Sequence, residues 1–200
     1  MIASKSTAIL VATVLAAALG SACGQRAERA PSKETLDTFV GEVRGSPAYI
    51  ALITDGERLS GFLTDGKQYG RWFATADLDD DQASLVARDG SELGKVSISG
   101  DSASGEVIVG LASDRFDARR TSGKARLFTT AEQRGEDSIE AGWIVLADGS
   151  ERGTYETSIS DESKTQPAPP LRPTVSIPGF GAQVPHQVLS LFLDSNAQAP

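Results

Sequence analysis

Four Asp-Gly pairs, at 55–56, 65–66, 89–90 and 148–149, stand between short runs rich in β-branched, aliphatic and aromatic residues. Both residues tolerate positive φ, which a tight two-residue turn between twisted antiparallel strands demands. Punctuation of this kind commits a chain to hairpins. The β-prone runs lie at 39–43, 48–54, 57–64, 68–74, 84–87, 92–98, 103–109, 124–129, 142–147 and 151–158, with Gly100-Asp101 marking a further turn. Residues 93–98 show the expected period of two imperfectly: Leu93, Lys95 and Ser97 share one face, and Gly94, Val96 and Ile98 the other.

The pattern predicts an all-β domain over residues 38–158, an antiparallel meander of sequentially paired strands. A sheet of that size left open would expose an apolar face and two edges, so it must form a small barrel or a two-layer sandwich. Expected interior positions are Val40, Tyr49 or Ile50, Leu52, Phe62, Trp72, Leu85, Val96, Val107, Leu127 and Trp143. Residues 88–94 and 147–153 share five of seven residues, which suits recurring hairpins in one sheet system. Their spacing is too uneven for a solenoid. The polar, acidic stretch 130–140 reads as a loop or short helix. Past Ser158 the strand signal fades. Residues 159–200 read as a Pro-rich segment, polyproline II over 166–173, followed by a short helix or tail in which Val188, Leu189 and Phe192 share a face. That tail either docks on the β domain or binds a partner.

The amino terminus has a different texture. Lys5 precedes an apolar stretch at 8–19 that is shorter than the roughly 20 residues needed to span a bilayer. Small residues Gly20, Ser21 and Ala22 follow, then Cys23, the chain's single cysteine. Residues 1–22 read as a secretory signal peptide. Residues 23–37 are polar and read as a flexible tether. The 14 residues from 24 reach at most roughly 45–50 Å when extended.

Charge limits the partners. Nineteen Lys and Arg stand against 27 Asp and Glu, a net charge of -8, and removing Lys5 with the leader makes the remainder more negative by one. Such a surface disfavours nucleic acid and anionic lipid. The densest basic group, Arg115, Arg119 and Arg120, has Asp114 and Asp117 beside it and reads as a solvated face or local ion pairs.

No catalytic set emerges, and the chain reads as a non-enzyme without a cofactor. His186 is the one histidine, and no Gly-x-Ser-x-Gly elbow surrounds Ser150 or Ser190. A structural zinc site lacks ligands. The run 77–81 is the densest acid cluster, and Asp77, Asp79 and Asp81 are its candidate calcium ligands. The run lacks the glycine and final glutamate of an EF-hand loop, so a charged turn explains it with less. Trp72 and Trp143 are the candidate ligand-binding residues, as an aromatic platform for a sugar, against the ordinary alternative of core residues. Paired carboxylates serve glycoside hydrolysis, but 27 acids do not single out a pair.

The stretch Leu19-Gly20-Ser21-Ala22-Cys23 resembles the lipobox of bacterial lipoproteins. The usual pattern places a Leu-like residue three before the cysteine; here Gly20 holds that place and Leu19 stands one further out. The resemblance implies a diacylglyceryl group on the Cys23 thiol, fatty acyl chains such as palmitate, and cleavage that leaves Cys23 first. An ordinary signal-peptidase cut near Ala22 is the other expectation. The segments 48–56 and 142–149 are similar to repeats of uncharacterised actinobacterial β-rich exported lipoproteins, a resemblance that brings no site residues with it. Together these readings predict a lipoprotein anchored on the extracytoplasmic face of a bacterial cell membrane. Its non-catalytic β module would bind a protein or glycan of the envelope. A β-barrel carrier of lipid or another small ligand and a glycan-directed hydrolase are the alternatives.

Overall fold

The computed structural model describes residues 36–122, 125–160 and 162–188. Cys23, the expected leader, the expected tether before Leu36 and the tail from Leu189 lie outside the described residues. Every regular element among the described residues is a β-strand. The first nine are β1 (Asp37–Val43), β2 (Tyr49–Thr54), β3 (Arg58–Thr64), β4 (Gly70–Trp72), β5 (Ala76–Asp77), β6 (Gln82–Val86), β7 (Glu92–Ser99), β8 (Ser102–Val109) and β9 (Ala112–Arg120). They make one antiparallel sheet in the order β4-β3-β2-β1-β9-β8-β7-β6, with β5 beside β3. The sheet curls through about 265° into an open barrel.

Two meanders, β1 to β4 and β6 to β9, are joined where β1 pairs with β9, from Phe39 opposite Arg120 to Val43 opposite Phe116. The ends of the path approach at an isolated bridge between Phe73 and Ala87. There the Ala74 N–H donates to the Val86 carbonyl at 2.8 Å and the Arg88 N–H to the Trp72 carbonyl at 3.2 Å. Side chains from all around the curl fill the interior: Phe39, Ile50, Leu63, Phe73, Leu85, Val96, Val107 and Phe116 are buried in one cluster.

The later strands are β10 (Arg126–Arg134), β11 (Asp137–Val145), β12 (Glu151–Ile159), β13 (Glu162–Pro167), β14 (Val175–Ile177), β15 (Gly181–Gln183) and β16 (His186–Gln187). Five of them form a second antiparallel sheet, β13-β12-β11-β10-β16, and β14 and β15 form a hairpin of their own. One face of the second sheet packs on the outside of the barrel, where Leu127, Ile144 and Val188 meet Ala51, Ile53, Phe62 and Trp72. The other face carries Ile139, Trp143 and Tyr155, covered by Val175, Ile177 and Phe180. Barrel-like closure and face-to-face layering therefore coexist.

Two glycines set the spacing at the seam. A Cβ at Gly70 would lie 2.0 Å from Thr154 Oγ1, and one at Gly142 would lie 2.7 Å from the Phe62 ring and 2.9 Å from Trp72. Any side chain at either place would push the barrel and the second sheet apart.

The Asp-Gly pairs all turn the chain, and each glycine has positive φ, 93° at Gly56, 71° at Gly66, 87° at Gly90 and 84° at Gly149. The turns at Asp89-Gly90 and Asp148-Gly149 are longer than the two residues expected. Ala87 N–H bonds to Ser91 O and Leu146 N–H to Ser150 O, so three residues close each of these loops. This is a type I turn followed by a glycine in the left-handed region. The aspartates cap the turns instead of merely permitting them: Asp65 Oδ1 accepts the N–H groups of Lys67, Gln68 and Tyr69.

Several expectations need correction. The predicted loop or helix at 130–140 is the end of β10, a turn at Gly135-Glu136, and the start of β11. Both strands are polar there, which hid their period. β9 went unread for a similar reason, since Phe116 and Ala118 are its only buried side chains. Two of its arginines make ion pairs with neighbouring strands and turns, Arg120 with Asp37 at 2.6 Å and Asp101 at 3.1 Å, and Arg115 with Glu106 at 3.6 Å. Strands also continue past Ser158. β13 runs into the stretch expected to be polyproline II, with Pro167 at the sheet's edge, where a missing N–H is tolerated. His186 and Gln187, expected in the short helix or tail, pair as a strand with Thr129 and Phe128.

Of the expected interior positions, Ile50, Leu52, Leu85, Val96 and Val107 line the barrel core. Val40, Tyr49, Phe62, Trp72 and Leu127 belong to the seam, and Trp143 to the far face. In β1 the inward residues are Phe39 and Val43, one step out of phase with Val40.

Candidate ligand-binding cleft

On the barrel-facing side of the second sheet, the alternation of a strand places Ser138, Glu140 and Gly142 in line on β11 and Thr154, Glu156 and Ser158 in line on β12. The register sets Ser138 opposite Ser158, Glu140 opposite Glu156, and Gly142 opposite Thr154. Thr165 on β13 lies opposite Glu156. The Gly142 end is apolar and carries the seam. Beyond it the same face becomes polar and forms one wall of a cleft of about 270 Å³. Gly70, Arg71 and Trp72 of β4, and Ala87, Arg88 and Asp89 of the turn after β6, supply the opposite side.

Two ion pairs span the gap. Arg88 bonds to Glu140 Oε1, and Arg71 Nη1 lies 3.6 Å from Glu156 Oε2. The three-residue turn projects Arg88 over the cleft, and its guanidinium sits 5.3 Å from the centre of the Trp72 ring. Arg71 similarly lies 5.6 Å from the Tyr69 ring centre. Glu156 also accepts a hydrogen bond from Ser163 Oγ. At the floor, the Thr64 and Thr154 hydroxyls bond at 3.2 Å.

Two features of this arrangement are costly. Like charges placed directly opposite on neighbouring strands repel, yet Glu140 and Glu156 are so placed. The Trp72 indole N–H is buried without a hydrogen-bond partner among the described residues, and a buried donor left unpaired loses its hydration without return. Trp72 is only 8 % exposed.

Burial pushes the Glu140 carboxyl above the usual carboxylate range; Arg88 pulls against that shift and Glu156 adds to it. A carboxyl raised in this way holds its proton more tightly in the folded chain than in the unfolded one. Its contribution to stability is whole below the ordinary value of 4.5 and is lost as pH rises through the raised folded value. Glu140→Gln cannot ionise, so relative to the parent it should be more stable at neutral pH than below pH 4.5. Denaturant unfolding of both chains across that range measures the gap. A gap independent of pH would refute a raised Glu140.

The residues singled out in the sequence separate in space. Trp72 lies at the cleft. Trp143 is 1 % exposed and donates its indole N–H to the Pro169 carbonyl at 2.8 Å, so it is a core residue and forms no platform with Trp72. Asp77 sits on β5 opposite Arg58. Asp79 bridges to Gln82, and Asp80 and Asp81 between them take positive φ, so the acid run makes a tight turn. No group of three His, Cys, Asp or Glu side chains suited to a metal ion occurs among the described residues. Ser150 Oγ bonds to Asp148 at 2.7 Å, and His186 lies exposed on β16.

Sequence reasoning missed Arg71, Arg88, Glu140 and Glu156. Glu140 and Glu156 do occur at matching places on either side of the Asp148-Gly149 turn, but pairing them requires 137–140 to be read as strand. No family model matches the chain, and no curated protein or solved structure matches it.

Proposed function

We propose that the protein is an envelope lipoprotein, anchored through lipid on Cys23 at the extracytoplasmic face of the cell membrane, whose β module binds a cell-envelope component in the cleft between β4 and the second sheet. The observation that carries this reading is the cleft: charged and hydroxyl side chains on the paired strands β11 and β12 face Arg71 of β4 and Arg88 of the turn after β6. Positions held by strands are better preorganised than positions on loops. The lipobox-like residues support the anchor.

The carrier reading draws little support from the barrel, because aromatic and aliphatic side chains occupy its interior. The hydrolase reading draws on one specific observation, the opposed carboxylates of Glu140 and Glu156 with burial raising the first. A carboxyl whose proton affinity is raised by burial, set beside a second carboxyl, suits the acid role in such a pair. Turnover of an envelope glycan, abolished by Glu140→Gln and by Glu156→Gln, would put catalysis in place of binding.

The test is to purify the full chain from its native membrane in mild detergent and record its native mass. A stoichiometric envelope species should accompany the parent and be absent from Ser158→Trp, which plugs the cleft, and from Arg71→Ala. A species retained by both variants would place binding elsewhere on the molecule. Parent protein that carries nothing from any preparation would count against the binding module itself.

A further inference from the structure

Resting on that reading of the cleft, we infer that its ligand is a neutral, polyhydroxylated ring, a single sugar residue of an envelope glycan, whose hydroxyls bond to Glu140 and Glu156 when Arg88 swings aside. Four observations converge on this class.

The first is charge. Arg71 and Arg88 are matched by Glu140 and Glu156, and Asp89 stands at the rim. An anion entering the cleft would meet a surplus of carboxylates. A neutral hydroxyl can donate to a carboxylate and accept from a guanidinium, so it meets no such penalty.

The second is the opposed pair itself. Glu140 and Glu156 sit side by side on paired strands as acceptor-only groups, with Ser138 and Ser158 as the next rung. Adjacent hydroxyls on a ring offer two donors to two neighbouring carboxylates, and hydrogen bonds to charged acceptors are the stronger kind. They would offset the repulsion between the two carboxylates.

The third is Trp72. Arg88 covers its ring at 5.3 Å, and its indole N–H is buried and unpartnered. Moving Arg88 off Glu140 also uncovers the ring. The apolar C–H face of a sugar can then take the place of the guanidinium against the indole.

The fourth is size. A cleft of about 270 Å³ lies just under the usual range for small-molecule sites, roughly 300–1,000 Å³. It admits one ring, with the rest of a glycan passing along the exposed edge at β13.

The two tryptophans make the test direct. The chain has two indole N–H groups, and that of Trp143 is held by Pro169 deep in the far-face core. In nitrogen-15 NMR spectra of the full chain, neutral monosaccharides (glucose, galactose and N-acetylglucosamine) at millimolar concentration should shift the Trp72 indole signal saturably. The Trp143 signal should stay in place as an internal reference for folding. Glucuronate, an anion of the same ring size, should produce no saturable shift. Glu140→Gln and Glu156→Gln should each weaken sugar binding about tenfold to a hundredfold, the range for losing hydrogen bonds to a charged acceptor. If one variant loses the Trp143 reference signal, the other and Ser158→Ala carry the test.

A Trp72 signal unmoved by every neutral sugar, or moved by glucuronate with equal affinity, would overturn the assignment. Failure of the ligand class is separable from failure of the site. An accompanying envelope species lost from Arg71→Ala while no sugar moves Trp72 would keep the cleft and discard the sugar. Loss of both observations would discard both.

Discussion

Replacing Phe116 by alanine should lower the thermal midpoint by roughly 6–20 °C, the equivalent of about 3–5 kcal/mol in a domain of this size. The ring is 1 % exposed in the barrel core. Its strand, β9, is the one that joins the two meanders, and Phe116 itself pairs with Val43 on β1 and with Gly105 on β8. Gly105 has no side chain to cover its part of the interior, and a Cβ there would come within 3.0 Å of the Phe116 ring. Alanine at 116 would leave that space empty on both sides, and strands held on two ladders have little freedom to collapse into it. Leu111, fully exposed at the tip of the neighbouring hairpin, is the matched control: Leu111→Ala should stay within about 0.5 kcal/mol of the parent. Thermal unfolding followed by near-ultraviolet circular dichroism reads both. A small loss at Phe116 would mean that the barrel interior repacks freely, against the close burial seen around it.

Cys23→Ser should release the protein from the membrane almost completely. Each acyl methylene contributes roughly 0.8 kcal/mol of membrane affinity, and two chains suffice for stable anchoring where one is marginal. No helix among the described residues is long and apolar enough to cross a membrane, and the net charge of -8 disfavours anionic lipid surfaces. Membrane and aqueous fractions from cells expressing each form give the partition, and the intact mass of the parent gives the acyl content of Cys23. A serine variant that stays with the membrane would assign attachment to another part of the chain. A parent already in the aqueous fraction, cut near Ala22, would assign ordinary secretion.

The hairpin architecture was largely legible in the sequence because turn chemistry is local. Asp and Gly side by side specify backbone conformation wherever they occur, and each of the four pairs turns the chain. The pairing of β1 with β9 was not legible, since it links residues about eighty apart through two strands of ordinary polarity. Nor was the sheet legible beyond Ser158. There the strands are short or sit at an edge, and burial is confined to isolated residues such as Val175, Ile177 and Val188. The cleft shows the same limit in sharper form. Trp72 drew attention as an aromatic, but Glu140 and Glu156 are two acids among 27. They become a pair only through the register of β11 and β12, and they meet Arg71 and Arg88 only because Gly70 and Gly142 let two sheets touch. Long-range register and close backbone approach are properties of the folded whole.

The place of β1 has a mechanical consequence. It is the first strand of the described fold, yet it lies in the interior of the larger sheet, paired over six positions with β2 and over five with β9. Tension arriving along the chain from its amino-terminal side enters the domain at that strand. A pull along the strand axis loads both ladders in shear, so their hydrogen bonds share the force and must fail together. A peripheral strand pulled sideways would surrender them one at a time. Resistance to forced unfolding is governed by the unfolding rate and not by the equilibrium free energy. A domain pulled along β1 would therefore hold longer than its equilibrium stability alone suggests.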